Sequence, residues 1–176
     1  QLAQYYNFPN STISGATDSK LPDNQAGYEK AINLTLAVQT GANLITQAAG
    51  TQAGLMATSL EAYVIDNEML GAILSTGKQI EVNEETCSVE AIKKVVEGDG
   101  HFLGQAATFN RMSTDFVYPE VADRQAYDSW VANGKPNINS NAKTKVESIL
   151  LEHKPNYIPK DCDTQIRKLF DIRIRI

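Results

Sequence analysis

Cysteine, tryptophan, methionine and histidine are all scarce in this chain: two, one, three and two among 176 residues. Cys87 and Cys162 are too few for a disulfide framework or a cysteine-ligated zinc site. No run of about 18 apolar residues occurs, so no helix is expected to cross a membrane. Sixteen Lys and Arg face 21 Asp and Glu, a net charge of −5. That balance argues against a nucleic-acid binder working by phosphate neutralisation. GxGxxG, P-loop and HExxH patterns are missing, as are internal repeats, so neither a nucleotide nor a bound metal is expected. What is present is 42% hydrophobic and 21% charged, the composition of a folded globular domain with a sizeable core.

The sequence opens on Gln1 without a charged and apolar leader, so it is expected to begin after processing or inside a longer polypeptide, and a cytoplasmic location is expected. The sequons at Asn10 and Asn33 read as chance.

Hydrophobic periodicity and turn chemistry divide the chain. Tyr5, Tyr6 and Phe8 suggest a strand near residues 4–8. Asp23 can cap a helix over residues 24–39, with Tyr28, Ile32 and Leu36 on one face, Leu34 and Val38 on another, and Gly41 as its stop. A second strand follows over residues 42–47. Thr58 and Glu61 read as a capping box for a helix to about Ser75 with a stripe of Leu60, Tyr63, Val64, Leu70, Ile73 and Leu74. Asn83, with Glu84 and Glu85 behind it, caps a third helix that buries Val89, Ile92, Val95 and Val96. Residues 100–104, apolar between glycines, read as a strand or a strand-like turn. Beyond residue 115 come polar helices, over 122–132, 140–152 and 161–170, separated by prolines.

Strand and helix in alternation imply βα units on a parallel sheet. A closed eight-unit barrel needs roughly 200–250 residues or more. At roughly 30 residues per unit, residues 1–115 hold three or four units. The expected fold is therefore α/β, part of a (β/α)8 TIM barrel over residues 1–115 with a helical extension over 116–176.

In such sheets functional side chains collect where strands end. That singles out Gln47 after the second strand and Thr12, Ile13, Ser14 and Gly15 after the first. His101, beside Gly100 at a strand start, is either a satisfied core histidine or a site residue, whereas His153 reads as a solvated helix-end cation. Cys87 follows the acidic Glu84 and Glu85, surroundings that do not favour a thiolate, so it is not read as a nucleophile. Asp66 or Glu68, on an otherwise apolar helix, can face a pocket.

Several runs in order resemble one family. They are residues 17–30, Gly41-Ala42-Asn43-Leu44-Ile45 with Ala48-Ala49-Gly50, Val64-Ile65-Asp66-Asn67-Glu68, residues 80–86, Gly100-His101-Phe102-Leu103-Gly104, and Tyr118-Pro119 with Asp123-Arg124-Gln125 and Trp130. The order is similar to the C-terminal part of the trimethylamine methyltransferase family, whose members include enzymes acting on quaternary amines such as glycine betaine. The resemblance implies the last units of a (β/α)8 barrel. It also implies methyl transfer from an amine to a corrinoid (methylcobalamin once charged) that a partner protein carries, so no cofactor is bound directly.

In the region of Ile13 to Gly15, where trimethylamine enzymes of the family carry pyrrolysine, this chain has ordinary residues. A quaternary ammonium already has a neutral leaving group, so the resemblance favours a quaternary over a tertiary amine. Gln47 stands where a histidine is expected. On this reading Gln47 and His101 are the catalytic candidates, orienting the amine or holding a substrate carboxylate. Ser14, Gly15, Tyr28 and Glu68 are substrate-binding candidates, with tyrosine supplying cation–π contact. A corrinoid protein and a second copy of the chain are the expected partners. The alternative is a non-catalytic half-barrel acting only by association with another chain.

Overall fold

The computed structural model describes residues 1–98, 100–153 and 157–172. Its centre is a βαβ unit. Strand β1 (Ser11–Ile13) and strand β2 (Leu44–Thr46) pair in parallel with register Ser11–Leu44, Thr12–Ile45 and Ile13–Thr46. Helix α2 (Asn24–Gln39) joins them. Its start is set by the Asp23 carboxylate, which accepts from the Ala26 amide at 3.0 Å, and its end by Thr40 with Gly41 at φ +73°. The expected parallel sense and the helix bounds hold, with the first strand at Ser11–Ile13 rather than near residues 4–8.

The first strand itself lies later than the aromatic run suggested. Residues Leu2–Tyr5 form a single helical turn, α1. Asn7, at φ 54°, closes it, and Phe8 donates back to the Ala3 carbonyl. Asn is among the few residues that enter the left-handed region readily, so it ends a turn where aromatic residues alone read as strand.

After β2 the chain turns through β3 (Thr51–Gln52), a 3-10 turn at Ala53–Leu55 and β4 (Ala57–Thr58), an antiparallel hairpin that periodicity could not show. Helix α3 (Leu60–Thr76) is capped by Ser59, one residue later than expected. The Ser59 oxygen accepts from the Ala62 amide and its hydroxyl donates to Glu61. The buried stripe of α3 is Ala62, Asp66 and Ile73, while Leu60, Tyr63 and Leu74 stay exposed. On α2 the buried stripe is Ala26, Lys30 and Leu34, and Tyr28, Ile32 and Leu36 are uncovered.

The third expected helix is two: α4 (Glu84–Cys87), with a reciprocal Asn83–Thr86 capping box, and α5 (Val89–Glu97), split by Ser88 at φ 51°. Of its expected face only Val95 is buried. Of the two readings of residues 100–104, the turn holds: Gly100 has φ +71° and the Gln105 amide donates to the Phe102 carbonyl. A helix, α6 (Ala106–Thr114), follows it. Two parallel strands, not three or four, thus occur among the described residues, and they close no barrel.

The last part holds α7 (Tyr127–Ala132), α8 (Ile138–Glu152) and α9 (Lys160–Leu169). Helix α3 packs against both α2 and α8. Small residues at these crossings, Ala26, Ala62 and Ala142, are buried with Leu34, Ile73, Val121 and Val146 and let the helices approach closely. One face of the parallel sheet is bare: Ser11, Ile13, Leu44 and Thr46 are exposed while Thr12 and Ile45 are half-buried.

Candidate functional site

Because β1 and β2 run parallel, Ser14-Gly15 and Gln47-Ala48 leave the sheet at the same edge. The Ser14 amide donates to the Thr46 carbonyl at 3.2 Å. Gly15 lies so close to the next loop that a Cβ there would stand 2.7 Å from the Ala48 carbonyl oxygen, and its φ is +95°. Only glycine meets both demands. Ser14 is buried and Gln47 exposed. Ser14 and Gly15 also line a groove of about 460 Å³ between β1 and α2, together with Thr12, Ile13 and Asn33.

The loop after β2 is strained. Gln47 (φ 59°), Gly50 (76°), Ala53 (51°), Gly54 (59°) and Leu55 (75°) all have positive φ. Three of the five carry side chains, and each such residue costs on the order of 1–3 kcal/mol. The same loop buries Gln52, whose side-chain oxygen and nitrogen have no hydrogen-bond partner among the described residues. A buried orphan of that kind costs about 1–3 kcal/mol more. Strain that surrounding structure must hold in place is characteristic of ligand-handling loops.

Two carboxylates hold these loops from beneath. Glu29, on α2, accepts from the Thr17 hydroxyl at 2.5 Å, the Asp18 amide at 2.9 Å and Gln25 Nε2 at 2.8 Å. The Thr17 hydroxyl, then Gln25 and the Asp18 amide, hold its pKa below the ordinary value. Asp66, on α3, accepts from the Gly50 amide at 2.7 Å and from Lys30 Nζ at 2.6 Å. Lys30 and Asp66 are 1% and 4% exposed. The loops are also joined directly: the Ala53 amide donates to Ser19 at 2.8 Å and the Gly54 amide to Thr17 at 2.9 Å.

Of the residues chosen from sequence, the fold brings together Ser14, Gly15 and Gln47. Tyr28 lies on the exposed side of α2 and lines a separate pocket of about 530 Å³ with Lys30, Gln52 and Asp66. Glu68 reaches the other way. Its carboxylate accepts from the amides of Glu120, Val121 and Ala122 at 2.6, 2.6 and 2.9 Å and ties the chain before α7 to α3. His101 is exposed in the turn before α6 and does not line the groove that holds Ser14 and Gly15. Sequence reading missed Lys30 and Gln52. For Lys30 the signal was available: it sits four residues from both Ala26 and Leu34, a charge on an apolar stripe.

The sequence model of a family described as trimethylamine methyltransferase (MTTB) matches residues 1–175. The chain is 36% identical over 166 residues to a glycine betaine methyltransferase of Desulfitobacterium hafniense, covering 94% of this chain and 33% of that protein. It is 37% identical over 162 residues to the trimethylamine methyltransferase MttB of Methanosarcina thermophila, covering 92% and 33%. With MttB of Methanosarcina barkeri (strain Fusaro) it shares 35% identity over 172 residues, covering 97% and 34%. The chain spans about a third of the length of the curated relatives it matches.

Proposed function

Because the chain belongs to the trimethylamine methyltransferase family, we propose that it is the C-terminal part of an enzyme that demethylates a quaternary or tertiary amine. In this reading the strands β1 and β2 are consecutive strands of a larger (β/α)8 barrel. The bare sheet face, with Ile13 and Leu44 in solvent, supports that reading, since a barrel wall turns one face of every strand inward. The observation that carries the site is the juxtaposition of Ser14-Gly15 with the strained loop starting at Gln47, at the edge where barrel enzymes build their sites.

The reduced corrinoid, held by its own carrier protein, supplies the nucleophile and is a substrate of the reaction. What remains for this polypeptide is positioning and exclusion of water. A quaternary ammonium has no N–H to donate, so polar groups must read another part of the substrate. The Gln47 carboxamide, exposed at the loop, can donate to a betaine carboxylate. Gly15 lets the two loops close against each other beneath it. Tyrosine rings suit the cation by cation–π attraction.

The test is demethylation by the full-length gene product with cob(I)alamin or a corrinoid protein as acceptor. Dimethylglycine from glycine betaine or dimethylamine from trimethylamine is measured by mass spectrometry. Formation of the first in preference to the second supports the quaternary-amine reading, and formation of neither rejects it. The bare face also favours a second reading, a non-catalytic half-barrel that pairs with another chain. That reading requires inactivity together with a stable complex in sedimentation analysis.

A further inference from the structure

We propose that Lys30 and Asp66 are positioning residues, a buried ion pair that couples the loop after β1 to the loop after β2 and fixes the presentation of Gln47. The proposal rests on the reading above that residues 47–50 form part of the substrate end of the site. Lys30 comes from α2, the helix that follows the first loop, and Asp66 from α3, the helix that follows the second. A single oxygen, Asp66 Oδ2, takes both the Lys30 ammonium at 2.6 Å and the Gly50 amide at 2.7 Å. Gly50 ends the stretch that begins at Gln47, and it is packed so tightly against the Tyr63 ring that a Cβ would overlap it. The turn is therefore pulled from below by a charge and blocked from the side by an aromatic ring.

An ion pair alone is weak grounds for stability, because desolvation offsets most of the attraction. A leucine and a methionine in the same places would hold α2 against α3 without that desolvation. They would not give the Gly50 amide an acceptor. The ammonium balances the charge of the buried carboxylate, so that an Asp66 oxygen can stand beneath the Gly50 amide. Glu29 performs the matching task for residues 17 and 18, and the Ala53–Ser19 and Gly54–Thr17 hydrogen bonds pass displacement of one loop to the other.

The test uses the full-length gene product and two variants of similar volume that both remove the buried charges. In Lys30→Met/Asp66→Asn the amide oxygen still accepts from Gly50; in Lys30→Met/Asp66→Leu nothing does. Hydrogen exchange reads the Gly50 amide, thermal unfolding reads global stability, and demethylation of glycine betaine and trimethylamine gives kcat/KM. The Leu variant should exchange Gly50 about tenfold faster than the Asn variant at similar thermal stability. Its kcat/KM should fall about tenfold, with the Asn variant restoring most of it. Equal Gly50 exchange in the two variants overturns the proposal. So does unchanged kcat/KM in a Leu variant whose Gly50 is released. An unprotected Gly50 amide in the wild-type protein also overturns it, and that measurement stands if either variant fails to fold. If the wild-type protein demethylates neither amine, the functional reading has failed, while the exchange comparison still decides whether the clamp exists.

Discussion

Lys30 Nζ and Asp66 Oδ2 meet at 2.6 Å in the interface between α2 and α3, with both side chains almost wholly withdrawn from water. The pair carries an asymmetry that can be measured. Lys30→Met leaves a buried carboxylate without its counter-charge and should destabilise by about 3–5 kcal/mol. Lys30→Met/Asp66→Asn removes both charges, keeps an acceptor for Gly50 and should recover most of that loss. Urea denaturation of the three proteins checks it; a single variant as stable as the double one contradicts the buried-pair assignment.

Gly15 and Gly27 make a matched pair. Alanine at 15 would put its Cβ 2.7–2.9 Å from the backbone of Ala48, at φ +95°. The loops must separate, so Gly15→Ala should destabilise by more than about 2 kcal/mol, and substrate affinity should fall with it. Gly27 lies in the interior of α2 with nothing within 4 Å of the added carbon. Gly27→Ala should stabilise by about 0.5–1 kcal/mol through helix propensity. Thermal unfolding of the two variants should therefore move in opposite directions.

Local signals were the legible ones. Asp23 and Gly41 bounded α2 to the residue, because capping is a contact within one turn. The parallel pairing of β1 and β2 followed from strand and helix in alternation. The position of β1 did not, since Tyr5, Tyr6 and Phe8 carry β propensity yet pack around the Asn7 turn, Tyr5 edge-on to Tyr6 and Tyr6 stacked with Phe8. Burial was the hardest to read. Tyr28-Ile32-Leu36 is the more hydrophobic stripe of α2, but the stripe facing α3 is Ala26-Lys30-Leu34, whose lysine meets a partner 36 positions away. The candidate site was legible as far as strand ends reach, in Ser14, Gly15 and Gln47. Glu68 illustrates the limit: its partners, the amides of residues 120–122, are some 52–54 positions distant.

Acid should weaken the loop after β1. The Ala26 amide, then the Ser19 hydroxyl, lower the Asp23 pKa from 3.8, and the Thr17 hydroxyl, then Gln25, lower that of Glu29 from 4.5. A group with a depressed native pKa adds stability that is whole above its unfolded value and is lost as pH falls through the native one. Unfolding free energy should therefore stay level above about pH 5 and decline below the ordinary values. Glu29→Gln should flatten that decline and lower stability at pH 7. Lys145 runs the other way: hydrogen bonding to Glu120 raises its pKa above 10.5, so its contribution is lost as pH rises through that raised value. A Glu29→Gln protein with the wild-type acid slope contradicts the assignment of Glu29.

Gln47 should show stability and function pulling apart. It is a non-glycine residue at φ 59°, exposed, at the start of the strained loop. Gln47→Gly removes the Cβ that makes this conformation unfavourable and should stabilise the fold by about 1 kcal/mol. The same change deletes the carboxamide offered to the substrate. If that group hydrogen-bonds a betaine carboxylate, affinity should fall by about 1–3 kcal/mol, the scale of a hydrogen bond to a charged partner. Gln47→Ala separates the two effects, because alanine keeps the backbone strain and loses the amide. It should weaken affinity as the glycine variant does without the gain in stability. Calorimetric binding of glycine betaine to the full-length gene product, beside thermal unfolding of the same samples, gives both readings. Glycine and alanine variants that bind betaine as tightly as the wild-type protein would remove Gln47 from the site and leave its strained backbone without a functional account.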